Sequence, residues 1–242
     1  MLFVENDVST TFINRDASLA HMSENLHIAI IMDGNRRWAE ANHLNRLEGH
    51  RHGAKKLEEL VEWCRDAKAR ALTLYAFSTE NFRRAPIELK NLFDLFREFF
   101  VRLAKKAKEL GLRIIFLGRL ALFPRDIQNM AKKIEQDTID GSFPLRFCFG
   151  YGGRQEILDA VNKAIRNGNE LTEEGFEKLL YMEDQPDIVI RTGGAVRTSN
   201  FLPWQTAYAE WFFVDTYWPD FSNQEFHAII AEFDQRKRNF GK

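Results

Sequence analysis

The sequence predicts an α/β protein: a single domain with a central, mostly parallel six-stranded sheet flanked by helices. Short apolar runs alternate with amphipathic segments along the chain. The segments between the runs are long enough to cross over the sheet and return the chain parallel to the previous strand. No linker interrupts this alternation, and 242 residues, 45% of them hydrophobic, suffice for one large domain.

Six apolar runs are predicted to be buried strands, because each is short and bounded by turn or helix signals. The first ends at Asp33, and the following Gly34 and Asn35 are turn and helix N-cap residues. An acidic side chain is therefore expected at the carboxyl end of a central strand. The predicted strands cover residues 25–32, 71–77, 112–117, 145–149, 187–190 and 210–214.

Helices are predicted between the strands. The third begins at Pro86, since proline suits the first helical turn, and ends before Gly111. The second repeats apolar residues at helical spacing from residue 50, whereas residues 43–48 are predicted to be a loop. The predicted helices cover residues 36–41, 50–69, 86–110, 124–140, 150–164, 172–181 and 223–238.

Composition excludes several classes of protein. A formal net charge of −1 gives no reason to expect nucleic acid as a partner. No apolar run approaches the ~18 residues of a transmembrane helix. Residues 1–25 lack a signal-peptide core and are predicted to form a loose N-terminal arm, with the folded domain spanning residues 26–242. Cys64 and Cys148 are predicted to be buried thiols, which indicates a reducing compartment such as the cytoplasm.

Polar clusters follow three of the predicted strands, at residues 33–38, 78–84 and 191–199. In a parallel sheet all three strand ends lie on one edge, so the clusters can converge. This many cationic groups suits one or two diphosphates, although any single arginine could equally be a solvated surface residue. The clusters and the segment after the first strand offer Arg36, Arg37, Arg46, Arg51, Arg84, Arg191, Arg197 and His50.

Acidic residues accompany these cations. Asp33, Glu80 and Glu210 fall in the same predicted region. A carboxylate beside diphosphates is repulsive unless a divalent cation bridges them, and Mg²⁺ favours one or two carboxylates plus phosphate oxygens. The common nucleotide motifs are missing: there is no Gly-x-x-x-x-Gly-Lys-Ser/Thr, and no Gly-x-Gly-x-x-Gly follows the first strand.

The chain uses phenylalanine heavily, with 21 residues against five tyrosines and five tryptophans. Preference for the aromatic residue without a polar group indicates a large dry interior or an apolar tunnel. The predicted helix over residues 86–110 carries Phe93, Phe96, Phe99 and Phe100. Such a stripe is more often core than a lipid cavity, but a diphosphate site beside it favours an isoprenoid diphosphate as the ligand.

The clusters resemble the sequence motifs of the cis-prenyltransferases, the family of undecaprenyl and dehydrodolichyl diphosphate synthases. The resemblance extends from about His27 to Gly241. It rests on the ordered blocks His27-Ile-Ala-Ile-Ile-Met-Asp-Gly-Asn-Arg-Arg-Trp-Ala39, Gly49-His50 with Gly53-Ala54, Leu74-Tyr-Ala-Phe-Ser-Thr-Glu-Asn-Phe82, Tyr151-Gly-Gly-Arg154, Ile190-Arg-Thr-Gly-Gly194, Arg197-Thr-Ser-Asn-Phe-Leu-Pro-Trp-Gln205, Ala207-Tyr-Ala-Glu210 and Trp218-Pro-Asp-Phe221.

The resemblance implies an enzyme that condenses isopentenyl diphosphate onto an allylic diphosphate (farnesyl, geranyl or geranylgeranyl) with Mg²⁺, forming Z double bonds. It implies a catalytic domain at 26–242 with an apolar tunnel, and roles for individual residues. Asp33 and Asn81 match catalytic positions, and Asp33 and Glu210 match metal ligands. The residues implied to bind the allylic diphosphate are Gly34, Asn35, Arg36, Arg37, Arg46 and His50, with Trp38 at the mouth of that site. The segment implied to close over the reacting carbons contains Ser78, Thr79, Glu80, Phe82 and Arg84. The residues implied to bind isopentenyl diphosphate are Arg191, Arg197, Thr198 and Ser199.

Some positions depart from the family pattern. Arg36 stands where many bacterial members have glycine, and Phe82 replaces the usual tryptophan. Ala195 replaces a usual glutamate, which removes a carboxylate near the isopentenyl diphosphate site. Asn239 replaces the arginine that reaches into the partner subunit in the family.

Three alternatives follow: an active chain-elongating enzyme that makes a glycan carrier lipid precursor, an irregular short-chain enzyme of the lavandulyl type, or a non-catalytic partner subunit. An intact Asp33 motif disfavours the last. The resemblance also implies a homodimer. The expected location is the cytoplasm, with peripheral membrane contact through the product.

Overall fold

A computed structural model describes residues 24–168 and 171–236 of the chain. Within those ranges a six-stranded sheet forms the centre of the molecule. The strands are β1 (His27–Ile31), β2 (Ala71–Ser78), β3 (Leu112–Leu117), β4 (Phe143–Tyr151), β5 (Ile188–Arg191) and β6 (Glu210–Phe213). The predicted N-terminal arm lies outside the described residues except for residues 24 and 25.

The strands lie in the order β3-β4-β2-β1-β5-β6, and every neighbouring pair is parallel. The predicted α/β fold with a six-stranded sheet is therefore confirmed. All five residues of β1 are buried, as expected of a central strand covered on both faces. The carboxyl ends of β2, β1 and β5 lie side by side, so the segments that follow them emerge at one edge of the sheet.

Seven α-helices are present in the described ranges and flank the sheet. Three short 3₁₀ segments, Thr79–Arg83, Leu120–Leu122 and Trp218–Asp220, supplement them. The α-helices are α1 (Asn35–Ala41), α2 (Arg46–Asp66), α3 (Pro86–Glu109), α4 (Arg125–Asp137), α5 (Gly153–Asn167), α6 (Glu173–Glu177) and α7 (Asn223–Gln235).

Several predicted helices differ from the structure in their bounds. The helix predicted over 172–181 ends at Glu177, and the helix predicted over 150–164 begins at Gly153 because Gly150 and Tyr151 extend β4.

A further difference is at the start of α2. Residues 43–48 were expected to be a loop, but the helix already begins at Arg46. The side chain of Asn45 caps it by accepting a hydrogen bond from the backbone N–H of Glu48 at 3.1 Å. An asparagine three residues before a glutamate is a helix-start signal, and this signal outweighs the polar character of the segment.

Apolar clusters fill both faces of the sheet. Successive residues of β1 alternate between them: Ile28 and Ile30 join the larger cluster, and Ala29 and Ile31 join the cluster on the other face. The larger cluster contains an aromatic group around Phe149, whose ring centroid lies 4.0 Å from that of Phe123. The heavy use of phenylalanine thus serves a dry interior, since these rings leave no polar atom to satisfy.

Two further predictions concern single residues and the membrane. Cys64 and Cys148 are buried and free, as predicted, and burial raises the pKa of both thiols. Among the described helices, none combines the length and apolar character needed to cross a bilayer. The C-terminal departure at Asn239 lies outside the described residues.

The packing of α7 against α2 gives a test of the core. Phe226 is fully buried, and its ring centroid lies 6.0 Å from that of Trp63. Phe226→Ala should lower the free energy of unfolding by about 3–5 kcal/mol, because it removes a large buried ring and leaves a cavity. Urea denaturation measures the change. Ile165→Ala, at a position that is 71% exposed on α5, should change the same quantity by less than about 0.5 kcal/mol; equal effects would contradict the packing described here.

Candidate active site

The turn after β1 positions Asp33. Gly34 has a left-handed backbone (φ 107°), and its N–H donates a hydrogen bond to Asp33 Oδ1 at 2.7 Å. A Cβ atom on residue 34 would lie 2.8 Å from Tyr217 Cδ1, so both the backbone conformation and the available space require glycine. The chain enters α1 directly after this turn. The acid therefore stays at the strand end, next to the start of a helix.

Two arginines hold the carboxylate of Asp33. Arg191 Nη2 donates to Oδ2 at 2.8 Å, and Arg37 Nη2 donates to Oδ1 at 3.2 Å. Since β1 and β5 are neighbours and Ile31 pairs in register with Arg191, the two strand ends meet here. The structure thus brings the first and third predicted polar clusters together.

The carboxyl group of Asp33 is ionised at neutral pH. Burial would by itself raise the pKa of its carboxyl, but the hydrogen bond and charge of Arg191, together with the charge of Arg37, hold that pKa below its ordinary value. A half-buried anion results, flanked by cations and open to the space in front of the strand ends.

Arg191 connects this acid to the loop that follows β5. Its side chain is 4% exposed, and Nη1 donates to Ser199 Oγ at 2.6 Å and to the carbonyl of Arg197 at 2.5 Å. Its Nε–H finds no acceptor among the described residues. These hydrogen bonds hold Ser199 against Arg191 at the end of β5.

A polar cleft of about 440 Å³ opens in front of Asp33. Its arginines are partly countered by acids: Arg46 pairs with Glu40 at 2.8 Å, and Glu88 lies 3.0 Å from Arg84 and 3.7 Å from Arg36. Such a convergence of guanidinium groups suits a diphosphate. The lining residues are Met32, Asp33, Gly34, Asn35, Arg36, Arg37, Glu40, Arg46, His50 and Arg84.

An apolar cavity of about 300 Å³ adjoins the cleft and runs between the sheet and α2 and α3. Asp33, Asn35, His50 and Arg84 line both spaces. Polar groups occur at the end shared with the cleft, and phenylalanines dominate the rest. Met32 also lines both spaces. The other lining residues of the cavity include Ala54, Leu57, Tyr75, Ala76, Phe77, Ser78, Asn81, Leu92, Leu95, Phe96, Phe99, Phe100, Phe116, Phe147, Phe149, Arg191, Ser199 and Trp218.

His50 differs from its predicted character. The sequence groups it with the cations, but burial, reinforced by the charges of Arg84 and Arg36 and opposed by Glu88, lowers the pKa of its ring from 6.5 to about 4. At neutral pH the imidazole is uncharged. It can therefore offer a hydrogen bond to an anion in the cleft without adding charge.

The second predicted cluster forms a 3₁₀ turn after β2. Ser78 and Asn81 cap it reciprocally, with the backbone N–H of Ser78 donating to Asn81 Oδ1 at 3.0 Å. Ser78, Asn81 and Arg84 line the apolar cavity. Glu80, next to Thr79, turns away from it and accepts a hydrogen bond from Asn200 at 3.2 Å.

Several predicted site residues lie elsewhere. Trp38, expected at the mouth, instead donates its indole N–H to Asp220 at 2.7 Å and packs on His52. Phe82 packs on Phe77, with ring centroids 4.9 Å apart. Among the described residues, the predicted site residues that line neither space are Trp38, Thr79, Glu80, Phe82, Arg197, Thr198 and Glu210.

Glu210 requires a correction. It pairs in register with Ile188 at the amino end of β5, whereas Asp33 follows the carboxyl end of β1. Its carboxylate is 2.7 Å from Arg236. Within one chain the sheet register therefore separates Glu210 from Asp33, and the prediction that both hold one metal ion is not met.

The remaining donors permit a more limited metal site. No group of three or more His, Cys, Asp or Glu side chains in the described ranges could hold a metal ion. Among the described residues, the carboxylates that line the cleft are Asp33 and Glu40, and Glu40 is paired with Arg46. One carboxylate completed by phosphate oxygens is an arrangement that Mg²⁺ uses, so the residues present fit a magnesium ion that arrives with a diphosphate.

Tyr75 and Trp218 line the cavity although neither is among the predicted site residues. Tyr75 donates its hydroxyl to the carbonyl of Ser199 at 3.3 Å, and its ring stacks on Phe201. Trp218 donates its backbone N–H to the carbonyl of Asp33 at 3.0 Å. Both belong to motif blocks quoted above, which is the only signal that could have identified them.

A cationic cleft that continues into a phenylalanine-lined cavity defines a protein that binds an amphiphile with an anionic head and an apolar tail. Comparison with known proteins narrows this class. The family model described as putative undecaprenyl diphosphate synthase matches residues 31–241. The chain belongs to this family, the cis-prenyltransferases, and is a transferase of prenyl groups.

Individual relatives agree with the family match. The chain is 45% identical over 228 residues to a tritrans,polycis-undecaprenyl-diphosphate synthase (geranylgeranyl-diphosphate specific) of Pyrococcus abyssi, covering 89% of this chain and 86% of the relative. It is 43% identical over 218 residues to an isoprenyl transferase of Fusobacterium nucleatum, covering 89% and 95%.

Two crystal structures share the fold. A probable undecaprenyl diphosphate synthase from Campylobacter jejuni gives a TM-score of 0.80 at 32% identity, covering 91% of this chain and 100% of that one. Lavandulyl diphosphate synthase from Lavandula x intermedia, in complex with dimethylallyl diphosphate, gives 0.85 at 26% identity, covering 89% and 98%.

The environment of His50 leads to a pH prediction. Because its folded-state pKa of about 4 lies below the ordinary 6.5, the contribution of His50 to stability should decline as the pH falls from 6.5 towards 4.

Proton-detected NMR titration should show the ring titrating near pH 4, with the signal assigned from a His50→Gln variant. Inorganic diphosphate should raise this pKa, since an anion favours the charged ring. Titration near 6.5 that does not respond to diphosphate would contradict the described surroundings.

Proposed function

We propose that this chain condenses isopentenyl diphosphate with an allylic diphosphate in the presence of Mg²⁺ and produces a Z-polyprenyl diphosphate, a precursor of a glycan carrier lipid. The observation that carries the proposal is the shared wall of the two spaces. Asp33, Asn35, His50 and Arg84 line both the cationic cleft and the apolar cavity. One amphiphile can therefore keep its diphosphate in the cleft and its hydrocarbon chain in the cavity.

The allylic diphosphate is proposed to bind in the cleft. Arg36, Arg37, Arg46 and Arg84 supply charge, and Asn35 and the neutral ring of His50 supply hydrogen bonds. Asp33 would hold a Mg²⁺ ion there together with substrate oxygens. When bound, that ion offsets the negative charge that builds up on the departing diphosphate. The arginines contribute to the same stabilisation from the protein side.

The proposed reaction exchanges one bond for another. The C–O bond between the allylic carbon and its diphosphate breaks, and inorganic diphosphate leaves with the electron pair. The double bond of isopentenyl diphosphate attacks the cation-like carbon, forming a C–C bond, and a proton then leaves from the isopentenyl unit. The amide of Asn81 is too weak a base to take that proton. Since its Oδ1 already accepts from Ser78, its NH₂ group is free to orient a water molecule or diphosphate oxygen that does so.

Isopentenyl diphosphate is proposed to bind beside the loop after β5, near Arg191, Arg197, Thr198 and Ser199. Arg197 is exposed and can turn towards a diphosphate, while Arg191 lines the adjoining cavity. Ala195 supplies no carboxylate near the isopentenyl diphosphate, so the binding of this substrate would depend more heavily on Arg191 and Arg197.

The cavity is proposed to be the beginning of a product tunnel. Ala76 is small and leaves room near the reacting end, whereas Phe96, Phe99 and Phe100 of α3 narrow the far part. The chain length of the product then depends on how far these rings move aside. Relatives whose names specify geranylgeranyl diphosphate make this allylic primer a candidate beside farnesyl and geranyl diphosphate.

We also propose a homodimer, with peripheral membrane contact through the product. The edge strand β6 carries half-buried Trp211 and Phe213, whose rings stack. The nearby connecting segments expose Val196 and Tyr208, which are 77% and 76% accessible. A second copy covering this apolar edge would remove that surface from water.

The direct test is an incubation with isopentenyl diphosphate, Mg²⁺ and each of the geranyl, farnesyl and geranylgeranyl primers, followed by sizing of the products. A ladder of products in five-carbon steps is expected, and EDTA should abolish it. Absence of any prenyl product in the presence of Mg²⁺ would overturn the proposal and favour the non-catalytic partner subunit.

An irregular condensing enzyme is the second candidate, favoured by the structural similarity to lavandulyl diphosphate synthase and by Ala195. It joins two allylic units instead of elongating a chain. Dimethylallyl diphosphate supplied alone distinguishes the two functions: a single branched ten-carbon product supports the second candidate, and no product supports the first.

Replacement of Asp33 tests its assigned role. Asp33→Asn keeps the shape of the side chain but removes the charge that faces Arg191, Arg37 and the metal, so turnover should fall by more than about 100-fold. Rates measured at saturating substrate give the effect, and circular dichroism checks the fold. Asp140→Asn, an exposed position, is the matched control and should retain full activity. Near-normal turnover of Asp33→Asn would contradict the assignment.

A further inference from the structure

The loop after β5 adopts an unusual backbone conformation. Ser199, Asn200 and Leu202 all have positive φ angles, of 50°, 65° and 47°. Residues with a Cβ atom rarely adopt this left-handed region, and asparagine tolerates it better than serine or leucine. Surrounding contacts must therefore hold the loop in place.

Asn200 makes the contacts that hold it. Its backbone carbonyl accepts from Gly153 N–H at 2.9 Å, and its Oδ1 accepts from Arg154 N–H at 2.9 Å. Its Nδ2 donates to Glu80 Oε1 at 3.2 Å. One side chain thus joins the loop after β5 to the start of α5 and to the turn after β2.

The glycines before α5 make room for this arrangement. Gly152 is the N-cap residue of α5 and has no side chain with which to cap the helix. A Cβ atom on it would lie 2.7 Å from Thr79 Oγ1 and 3.1 Å from Asn200 Nδ2. Asn200 therefore supplies the capping oxygen from outside the helix, in the space that Gly152 leaves open.

We propose that Asn200 is a positioning residue that couples the turn carrying Asn81 to the loop carrying Ser199, and so sets the placement of isopentenyl diphosphate relative to the allylic carbon; this inference rests on the proposed function. The connection continues beyond Asn200. Ser199, its neighbour, accepts from Arg191, and Arg191 donates to Asp33. A chain of contacts thus runs from Glu80 across the isopentenyl side to the catalytic acid.

The chemistry of these contacts selects asparagine. The position needs an acceptor for Arg154 N–H and a donor for the Glu80 carboxylate, and a primary amide provides both. Aspartate keeps the acceptor but presents a second negative charge to Glu80. Adding Glu80→Gln restores the contact in the opposite direction. The glutamine amide then donates to the carboxylate introduced by Asn200→Asp, so the pair again has one donor and one acceptor.

The test is a double-mutant cycle of Asn200→Asp and Glu80→Gln, with KM measured for each substrate. Asn200→Asp alone should raise KM for isopentenyl diphosphate about tenfold, the effect of losing one charge-assisted hydrogen bond. KM for the allylic substrate should change by less than about twofold. In the Glu80→Gln background, adding Asn200→Asp should raise KM for isopentenyl diphosphate by less than about threefold. Asn162→Asp, which makes the same charge change at an exposed position of α5, should leave both KM values unchanged.

A second measurement needs no turnover. Hydrogen–deuterium exchange over residues 78–84 and 197–202 should increase in Asn200→Asp and return towards the wild-type rate in the double variant. Equal effects of Asn200→Asp in both backgrounds, or unchanged exchange in residues 78–84, would overturn the positioning role whether or not the protein is active. A wild-type protein without prenyl transfer would overturn the proposed function instead, while the exchange experiment would still decide the role of Asn200.

Discussion

The ion pair between Asp33 and Arg191 is the contact on which the rest of the site depends. It joins the ends of two neighbouring strands, and Arg191 is almost fully buried. A buried guanidinium without its carboxylate is strongly destabilising, so each partner constrains the other. Through Arg191 the pair also fixes Ser199, and through Arg37 it fixes the start of α1. The geometry of the cleft therefore follows from the parallel register of β1 and β5, which pairs Ile31 with Arg191 and so brings Asp33, two residues further along, within reach of the guanidinium.

The polarity of the molecule changes abruptly at this pair. On one side the arginines of the cleft face solvent, and on the other the phenylalanines between sheet and α3 leave no polar atom to be satisfied. An isoprenoid diphosphate has the same abrupt change between its head and its tail. A ligand of this kind can be placed in only one direction, because its reversal would bury the charged head among aromatic rings. The proposed direction of chain growth, from the cleft into the cavity, follows from this arrangement and requires no charged group inside the cavity.

Residue type and periodicity were enough to locate much of the site. Asp33, Arg191 and Ser199 were expected to converge because they follow parallel strands, and the structure brings them within hydrogen-bonding distance. Glu210 was assigned to the metal site by the family resemblance and not by this reasoning, since its predicted strand begins at residue 210, as β6 does. The resemblance alone placed Trp38 at the mouth of the site. In the structure its indole N–H donates to Asp220 and its ring packs on His52, two contacts that no local pattern predicts.

The sequence by itself determined the strands, the acid at the end of the first strand, the supply of arginines and the dry phenylalanine interior. Each of these is written in local patterns: apolar periodicity, turn residues and side-chain chemistry. Only the tertiary structure decided that His50 is neutral, that Arg191 is occupied by Asp33 and Ser199, and that Asn200 contacts Glu80 and α5. These properties depend on burial and on contacts between residues far apart in the chain. A pKa or a hydrogen bond responds to all surrounding groups, and a local pattern contains no information about which groups those are.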